Sequence, residues 1–319
     1  LKNIVIAGGA GFIGSHLVDL FLNDKNNNII VVDNLITGNK NNIKHHLDNP
    51  HFTFVEQDIT ETIGRFDFGT PEIHAIFHLA SPASPKDYIK YPIETLEVNS
   101  YGTQNLLELA RSTNAIFLFT STSEIYGNPL VHPQHEEYWG NVNSIGPRSV
   151  YDEGKRYAES LIMAYHRKYG LDTRIVRLFN TFGPRMKIDD GRIVPNLIKQ
   201  ALNNDPLTIY GDGTQTRCFC YVDDTVDGIF RLYNRKYNFP INIGSTKEIT
   251  ILEIAQIIKQ ITNSNSDIIF EPLPEDDPVK RKPNITKAMD VLGWESHCSL
   301  EDGLLDTIKY FMPCFTPKP

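Results

Sequence analysis

Apolar residues along the first half of the chain fall into two alternating patterns. Residues 3–7, 29–32, 52–56, 75–79, 115–120 and 173–177 are short runs rich in Ile, Val, Phe and Ala, the second ending in Asp33. Short apolar runs bounded by turn residues predict strands of a buried parallel sheet. Between them, residues 15–22, 94–111 and 151–169 place apolar positions three and four apart, the helical period, and Gly170 supplies a C-terminal cap for the last. Strands alternating with helices predict an α/β chain with a doubly wound parallel sheet of Rossmann type. Beyond about residue 180 the pattern loosens into short apolar segments, a Gly-Asp-Gly turn and Pro-rich stretches, with one clear amphipathic helix expected at residues 251–261.

The turn after the first strand changes this picture from fold to chemistry. Gly8, Gly9, Gly11 and Gly14 stand in the string Gly-Gly-Ala-Gly-Phe-Ile-Gly, between a strand and a helix. The first glycine makes the tight turn, the next lets the backbone approach a pyrophosphate, and Gly14 lets helix and strand pack closely. The helix N-terminus adds N–H groups and partial positive charge. Asp33 follows Gly14 by 19 residues, at the end of the second strand. Its carboxylate can accept from ribose hydroxyls and would repel a 2′-phosphate, so NAD is expected rather than NADP. Residues 1–180 are therefore expected to form an NAD-binding domain, with residues 218–245 returning to it. Residues 181–319 are expected to form mainly a smaller C-terminal substrate-binding lobe.

Tyr151 and Lys155 lie four residues apart on an expected helix and so share a face. A fixed ammonium, together with a cationic nicotinamide, would favour the phenolate, which can take a proton from a sugar hydroxyl. Thr122, at the end of the fifth strand, would orient the reacting oxygen. Glu124, two residues on, could reach the carbon next to a newly formed ketone. Composition narrows the partners. The 319 residues carry a formal net charge of −8, without the basic excess of a nucleic-acid binder. No apolar run is long enough for a membrane span. Cys218, Cys220, Cys298 and Cys314 show neither metal-ligand spacing nor a disulfide framework, and Cys218 and Cys220 would share one side of a strand. A reducing, cytoplasmic setting is expected, with no metal. The chain opens at Leu1 rather than Met, which leaves open an anchor upstream.

The glycine spacing resembles the extended short-chain dehydrogenase/reductase superfamily. That resemblance implies cofactor contacts from Gly8, Gly11, Phe12, Ile13, Asp33 and Asn34, and from Thr37 and Gly38 around the ribose and phosphate. It adds Asp58 and Ile59 at the adenine, Leu79, Ala80 and Ser81 at the end of the fourth strand, and Tyr151 and Lys155. The strings at 78–85 (His-Leu-Ala-Ser-Pro-Ala-Ser-Pro), 121–127, 151–156 (Tyr-Asp-Glu-Gly-Lys-Arg), 179–186 and 280–283 (Lys-Arg-Lys-Pro) resemble the UDP-glucuronate decarboxylases, across nearly the whole chain. The resemblance implies oxidation of C4 of a glucuronosyl ring by NAD, loss of CO2 from the resulting β-keto acid, reprotonation at C5 and return of the hydride.

By the same resemblance Glu124 and Arg281 assist decarboxylation and reprotonation, with Arg281 also a substrate contact. Asn180 and Arg192 sit around the nucleotide-sugar phosphates, and 209–217 forms a strand-turn-strand over the nucleotide that presents Tyr210 and Arg217. Two departures stand out: Glu97 where the family often has Lys, and a long connection at 63–73. A sugar-nucleotide 4,6-dehydratase would share Thr122, Glu124, Tyr151 and Lys155. Many dehydratases place Asp where Ser123 stands, though GDP-mannose dehydratases carry Thr-Ser-Glu. A 4-epimerase has little use for Glu124 or Arg281. A catalytically dead binding relative would usually have lost Tyr151 or Lys155. Relatives of this kind pair through the two long helices, so a homodimer is expected.

Overall fold

The computed structural model of the protein describes residues 1–61, 72–273 and 280–315, so all but the last two residues of the 63–73 connection lie outside the described residues. The first half runs β1 Lys2–Ala7, α1 Phe12–Leu22, β2 Asn27–Asp33, β3 Phe52–Glu56, β4 Ala75–His78, α2 Pro85–Lys90 and α3 Pro92–Glu97. A π-helical turn, Val98–Gly102, leads into α4 Thr103–Thr113, followed by β5 Ile116–Thr122, α5 Ser149–Tyr169 and β6 Thr173–Leu178. All six expected strands form. The expected helix at 94–111 is longer and interrupted. It starts at Pro92, whose fixed φ suits a first helical position, and stops at Asn114 in the left-handed region with φ 55°. β5 runs on to Thr122 because its ladder with β6 continues to the Thr122–Leu178 pair.

The second half adds β7 Thr181–Phe182, α6 Ile193–Asn203, β8 Leu207–Tyr210, β9 Thr216–Cys218, β10 Cys220–Tyr221 and α7 Val222–Tyr233. Then come β11 Pro240–Ile243, β12 Glu248–Thr250, α8 Ile251–Ile261, β13 Ile268–Glu271, β14 Lys280–Arg281 and α9 Leu300–Phe311. The main sheet has seven strands in the order β3-β2-β1-β4-β5-β6-β11, and every pair is parallel. The order reverses between β1 and β4, which opens a crevice at the carboxyl ends of the strands.

Both faces of this sheet are covered, which is why its strands read as apolar runs. Ile4, Ile6, Ile29 and Val31 face α1 and the second half of the chain. Val5, Ala7, Ile30 and Val32 face α4 and α5 across Leu106, Ala110, Ala158 and Ile162. On the first face Phe21 of α1 meets Phe77 of β4 and Phe230 and Tyr233 of α7.

The later segments form small sheets, β13-β8, β12-β9-β14 and β10-β7. The strand-turn-strand at 209–217 therefore differs from a hairpin. Its two arms, β8 and β9, join different sheets, because the turn through Gly211 and Gly213 redirects the chain rather than folding it back. Cys218 and Cys220 also part company, into β9 and β10, and all four cysteines are free thiols. Among the described residues no helix is long and apolar enough to cross a membrane.

Candidate functional site

The crevice is a cavity of about 620 Å³ that runs from the glycine turn to the later segments. At one end, Gly8 holds φ +82°, and a Cβ there would stand 2.6 Å from the backbone N of Ala80. Only a glycine allows β1 and β4 to approach this closely. A Cβ at Gly14 would stand 2.2 Å from the Gly8 carbonyl oxygen, so the turn and α1 also depend on its absence. α1 begins at Gly11 with no side-chain cap and no acidic residue in its first turn, leaving Phe12 and Ile13 on the cavity wall. Asp33 accepts from the backbone N–H of Ala10 at 3.0 Å and of Leu35 at 2.9 Å. Burial raises its pKa, and these two donors oppose the rise.

Thr37 and Gly38 line the same wall, Gly38 close enough that a Cβ would meet the Asp33 carboxylate at 2.6 Å. Farther along, Asn34 donates to Asp58 at 2.7 Å, beside Ile59. Leu79, Ala80 and Ser81 close the wall from β4, and Ser81 accepts from Asn99 at 2.9 Å. A bare glycine cradle, an uncapped helix start and a fixed carboxylate fit a dinucleotide.

Deeper in, β5 delivers Thr122 and α5 delivers Tyr151 and Lys155. The Thr122 hydroxyl accepts from the backbone N–H of Glu124 at 3.2 Å and is hydrogen-bonded to Tyr151. Lys155 donates from Nζ to the Thr120 carbonyl at 2.9 Å and lies 4.5 Å from the Phe119 ring centre. Burial, opposed by Glu159, brings its ammonium down to about 7. Burial pushes the Tyr151 phenol up to about 12, outweighing its bond with Thr122. The expected pull of Lys155 toward a phenolate is thus weaker than desolvation, and both groups are held toward their neutral forms. The Tyr88 ring stacks on Tyr151 at 5.4 Å, fixing its plane.

Glu124 sits beside this pair, and burial by itself would raise its pKa. Arg281 and Arg148 override burial and hold the carboxyl well below the usual carboxylate range. Both guanidinium groups reach the same oxygen, Oε2: Arg148 in a short ion pair and Arg281 at 3.3 Å. Arg148 lines the cavity. Arg281 does not: it is 1% exposed, lies behind Glu124 and donates to the Ser123 carbonyl. β14 pairs Arg281 with Arg217 of β9, and from there the Arg281 guanidinium reaches Glu124.

Toward the mouth, Asn180, Arg192, Tyr210 and Arg217 all line the cavity. Arg192 is held by Asp190 at 2.5 and 2.7 Å, Arg217 donates to the Thr216 carbonyl at 3.0 Å, and Tyr210 is exposed. Glu97 is also on the wall. Sequence reading missed Arg148, Asp152, Tyr88 and Asn99. Asn99 stands in the π-helical turn, which widens the helix where Gly154 of α5 packs against it. None of the four carries a periodic or spacing signal, since each gains its meaning from residues distant in the chain. Outside the cavity, Asp19 accepts from His45 and His46 at 2.9 and 2.7 Å, but Arg185 already occupies its other oxygen at 2.6 Å.

A doubly wound sheet with a glycine cradle and a Thr-Tyr-Lys set is the layout of NAD-linked enzymes that act on nucleotide sugars. The model of the NAD dependent epimerase/dehydratase family matches residues 4–244. UDP-glucuronic acid decarboxylase 4 of Arabidopsis thaliana is 51% identical over 308 residues, covering 97% of this chain and 68% of that protein. UDP-glucuronic acid decarboxylase 1 of Danio rerio is 49% identical over 310 residues, covering 97% and 72%. The crystal structure of UDP-glucuronic acid 4-epimerase from Bacillus cereus, in complex with UDP-glucuronic acid and NAD, superposes with a TM-score of 0.89 at 29% identity, over 98% of this chain and 100% of that one. The chain belongs to the NAD dependent epimerase/dehydratase family and, within it, to the UDP-glucuronic acid decarboxylases.

Proposed function

We propose that this chain binds NAD and converts UDP-glucuronate to UDP-xylose and CO2. The observation that carries the reading is the carboxylate of Glu124, clamped by two arginines beside Thr122, Tyr151 and Lys155. A 4-epimerase needs no such cluster. Ser123, where many 4,6-dehydratases place an acid, speaks against dehydration.

When bound, NAD supplies the acceptor, and later the donor, of the C4 hydride. Thr122 orients the C4 hydroxyl, and Tyr151 takes its proton and later returns it. Lys155 holds the nicotinamide ribose and, with the cationic ring, offsets the desolvation that keeps the phenol neutral. With a ketone at C4, the carboxylate on C5 is β to a carbonyl. The C5–C6 bond then breaks with its electron pair flowing into an enolate, and C5 takes a proton from the side that Glu124 faces. Asp33 holds the adenosine ribose. Asn180, Arg192, Tyr210 and Arg217, most of them in the lobe beyond residue 180, hold the UDP.

The partner is a second copy of the chain. Ile93 and Leu96 of α3, Tyr101 of the π turn and Tyr157 of α5 are exposed, and a four-helix interface would cover them. Light scattering should find a particle of twice the chain mass, and a monomer at micromolar concentration would refute the pairing. For the activity, the purified protein is incubated with UDP-glucuronate and NAD and followed by mass spectrometry. Loss of one CO2 to a UDP-pentose without accumulating NADH supports the decarboxylase. Loss of water from UDP-, dTDP- or GDP-hexoses instead would make it a dehydratase. Tyr151→Phe should cut turnover by orders of magnitude and leave NAD bound.

A further inference from the structure

Behind the cavity wall a line of polar groups joins segments far apart in the sequence. It starts at Ser121, beside Thr122, whose own hydroxyl donates to Glu159 of α5 at 2.6 Å. Glu159 accepts two bonds from Arg177 of β6, at 2.9 and 2.7 Å. Arg177 donates to the Tyr126 hydroxyl at 3.0 Å, and Tyr126 donates to Asn242 of β11 at 2.8 Å. The Asn242 amide donates to the carbonyls of Gln134 and Asn284 at 3.1 and 3.2 Å. Gln134 then holds the segment that follows β14. Its side chain accepts from the Lys282 N–H at 2.9 Å, its N–H donates to the Lys282 carbonyl at 2.8 Å, and its carbonyl accepts from the Asn284 N–H at 2.7 Å. Tyr126, Gln134 and Asn242 are fully buried, and none of them lines the cavity.

The two ends of this line carry different chemistry. At one end stands the oxidising set: Thr122 follows Ser121, and Lys155 and Tyr151 lie one and two turns ahead of Glu159 on α5. At the other end Arg281 precedes Lys282, and its guanidinium reaches Glu124. Among the described residues two links join the halves. One is the Tyr126 hydroxyl. The other is Glu136, whose carbonyl accepts from Arg177 and whose carboxylate accepts from the Asn242 N–H. Tyr126 also closes the short turn Ser123–Tyr126 that carries Glu124, and its ring packs between Tyr138 and Phe179.

Oxidation at C4 and cleavage at C5 act on adjacent carbons of one ring, so the two sets of side chains must keep a fixed spacing. A buried polar network is rigid while each member is satisfied. We propose that Tyr126 is a positioning residue: it holds Glu124 and Arg281 in place against the oxidising set, so that CO2 loss and reprotonation follow oxidation before the ketone escapes. This rests on the decarboxylase reading above. Without the hydroxyl, the segment after β14 loosens from α5, while Thr122, Tyr151 and Lys155 keep their places on β5 and α5. The C4 hydride still passes to NAD and the hydroxyl proton to Tyr151. The later events slow: the C5–C6 bond breaks to CO2 and an enolate, and the C5–H bond forms. The C4 ketone and NADH then persist, and part of the ketone leaves.

Tyr126→Phe removes the hydroxyl and keeps the ring. In NAD-loaded enzyme turning over UDP-glucuronate, the fraction of cofactor standing as NADH should rise about tenfold, the worth of one hydrogen bond. Mass spectrometry should find UDP-4-keto sugars beside UDP-xylose. A purely structural loss would lower kcat and leave the NADH fraction where it was. Independently of turnover, hydrogen exchange should quicken at the Lys282 and Asn284 amides and stay unchanged along α5. Asn242→Leu breaks the same link from the other side and should raise the NADH fraction too. Combined with Tyr126→Phe it should add less than the sum of the two. An unchanged NADH fraction in both single variants, exchange that quickens equally in α5, or fully additive effects overturns the proposal. Failure of the wild type to make UDP-xylose is a separate result that removes the decarboxylase reading itself.

Discussion

Lys155→Met should abolish turnover and yet stabilise the NAD-free protein. Lys155 is 2% exposed, and burial lowers its pKa from 10.5 to about 7. The folded-state value lies below the unfolded one, so between these values the unfolded chain binds more protons and stability rises with pH. Below about 7 the full cost of burying the ammonium is present, and it vanishes above the unfolded value. Linkage puts that cost at roughly 4 kcal/mol near pH 7 and roughly 2 kcal/mol near pH 9. Methionine fills the same channel and carries no charge. It leaves the Thr120 carbonyl without its donor, a loss of about 1 kcal/mol. The net gain is then roughly 3 kcal/mol near pH 7 and roughly 1 kcal/mol near pH 9. Urea unfolding of both proteins, stripped of NAD, measures it. A variant no more stable than wild type near neutrality, or a gain that does not shrink as pH rises, would refute the reasoning.

Gly8→Ala forces a Cβ into the Leu79 and Ala80 backbone at a positive φ, so NAD affinity should fall at least about tenfold and the melting temperature should drop, read by fluorescence titration and calorimetry. Arg177 pairs with Glu159 at 2.7 and 2.9 Å under the sheet end, and Arg177→Met alone should cost roughly 3–5 kcal/mol in urea unfolding. Combining it with Glu159→Gln should recover part of that loss, because the stranded charge goes too. Thr250→Ala removes half of the capping box that starts α8 and should cost about 1 kcal/mol with kcat unchanged.

The six strands of the first half, the glycine cradle with Asp33, and the Tyr151–Lys155 spacing were legible in the sequence. Each is a local pattern: a strand's apolar run, a turn that only glycine allows, and two side chains one helical turn apart. The resemblance extended that reading to Glu124 and Arg281. What a local pattern does not carry is which side of a residue its neighbours occupy. Arg281 stands in a charged run, Lys-Arg-Lys, yet is buried against Glu124 from a strand, β14, that pairs with β9. The expected strand-turn-strand at 209–217 forms, but which strands its arms pair with, β13 and β12, is decided by the fold. Arg148 and Asp152 gain their setting only where Glu124, just past β5, meets β14 and α5 at one buried point. The sequence alone determined the Rossmann scaffold, the glycine turn and the shared helix face of Tyr151 and Lys155, because local sterics and periodicity encode them. The tertiary structure decided how charge is shared around Glu124, because burial and Coulomb energy depend on which distant segments meet.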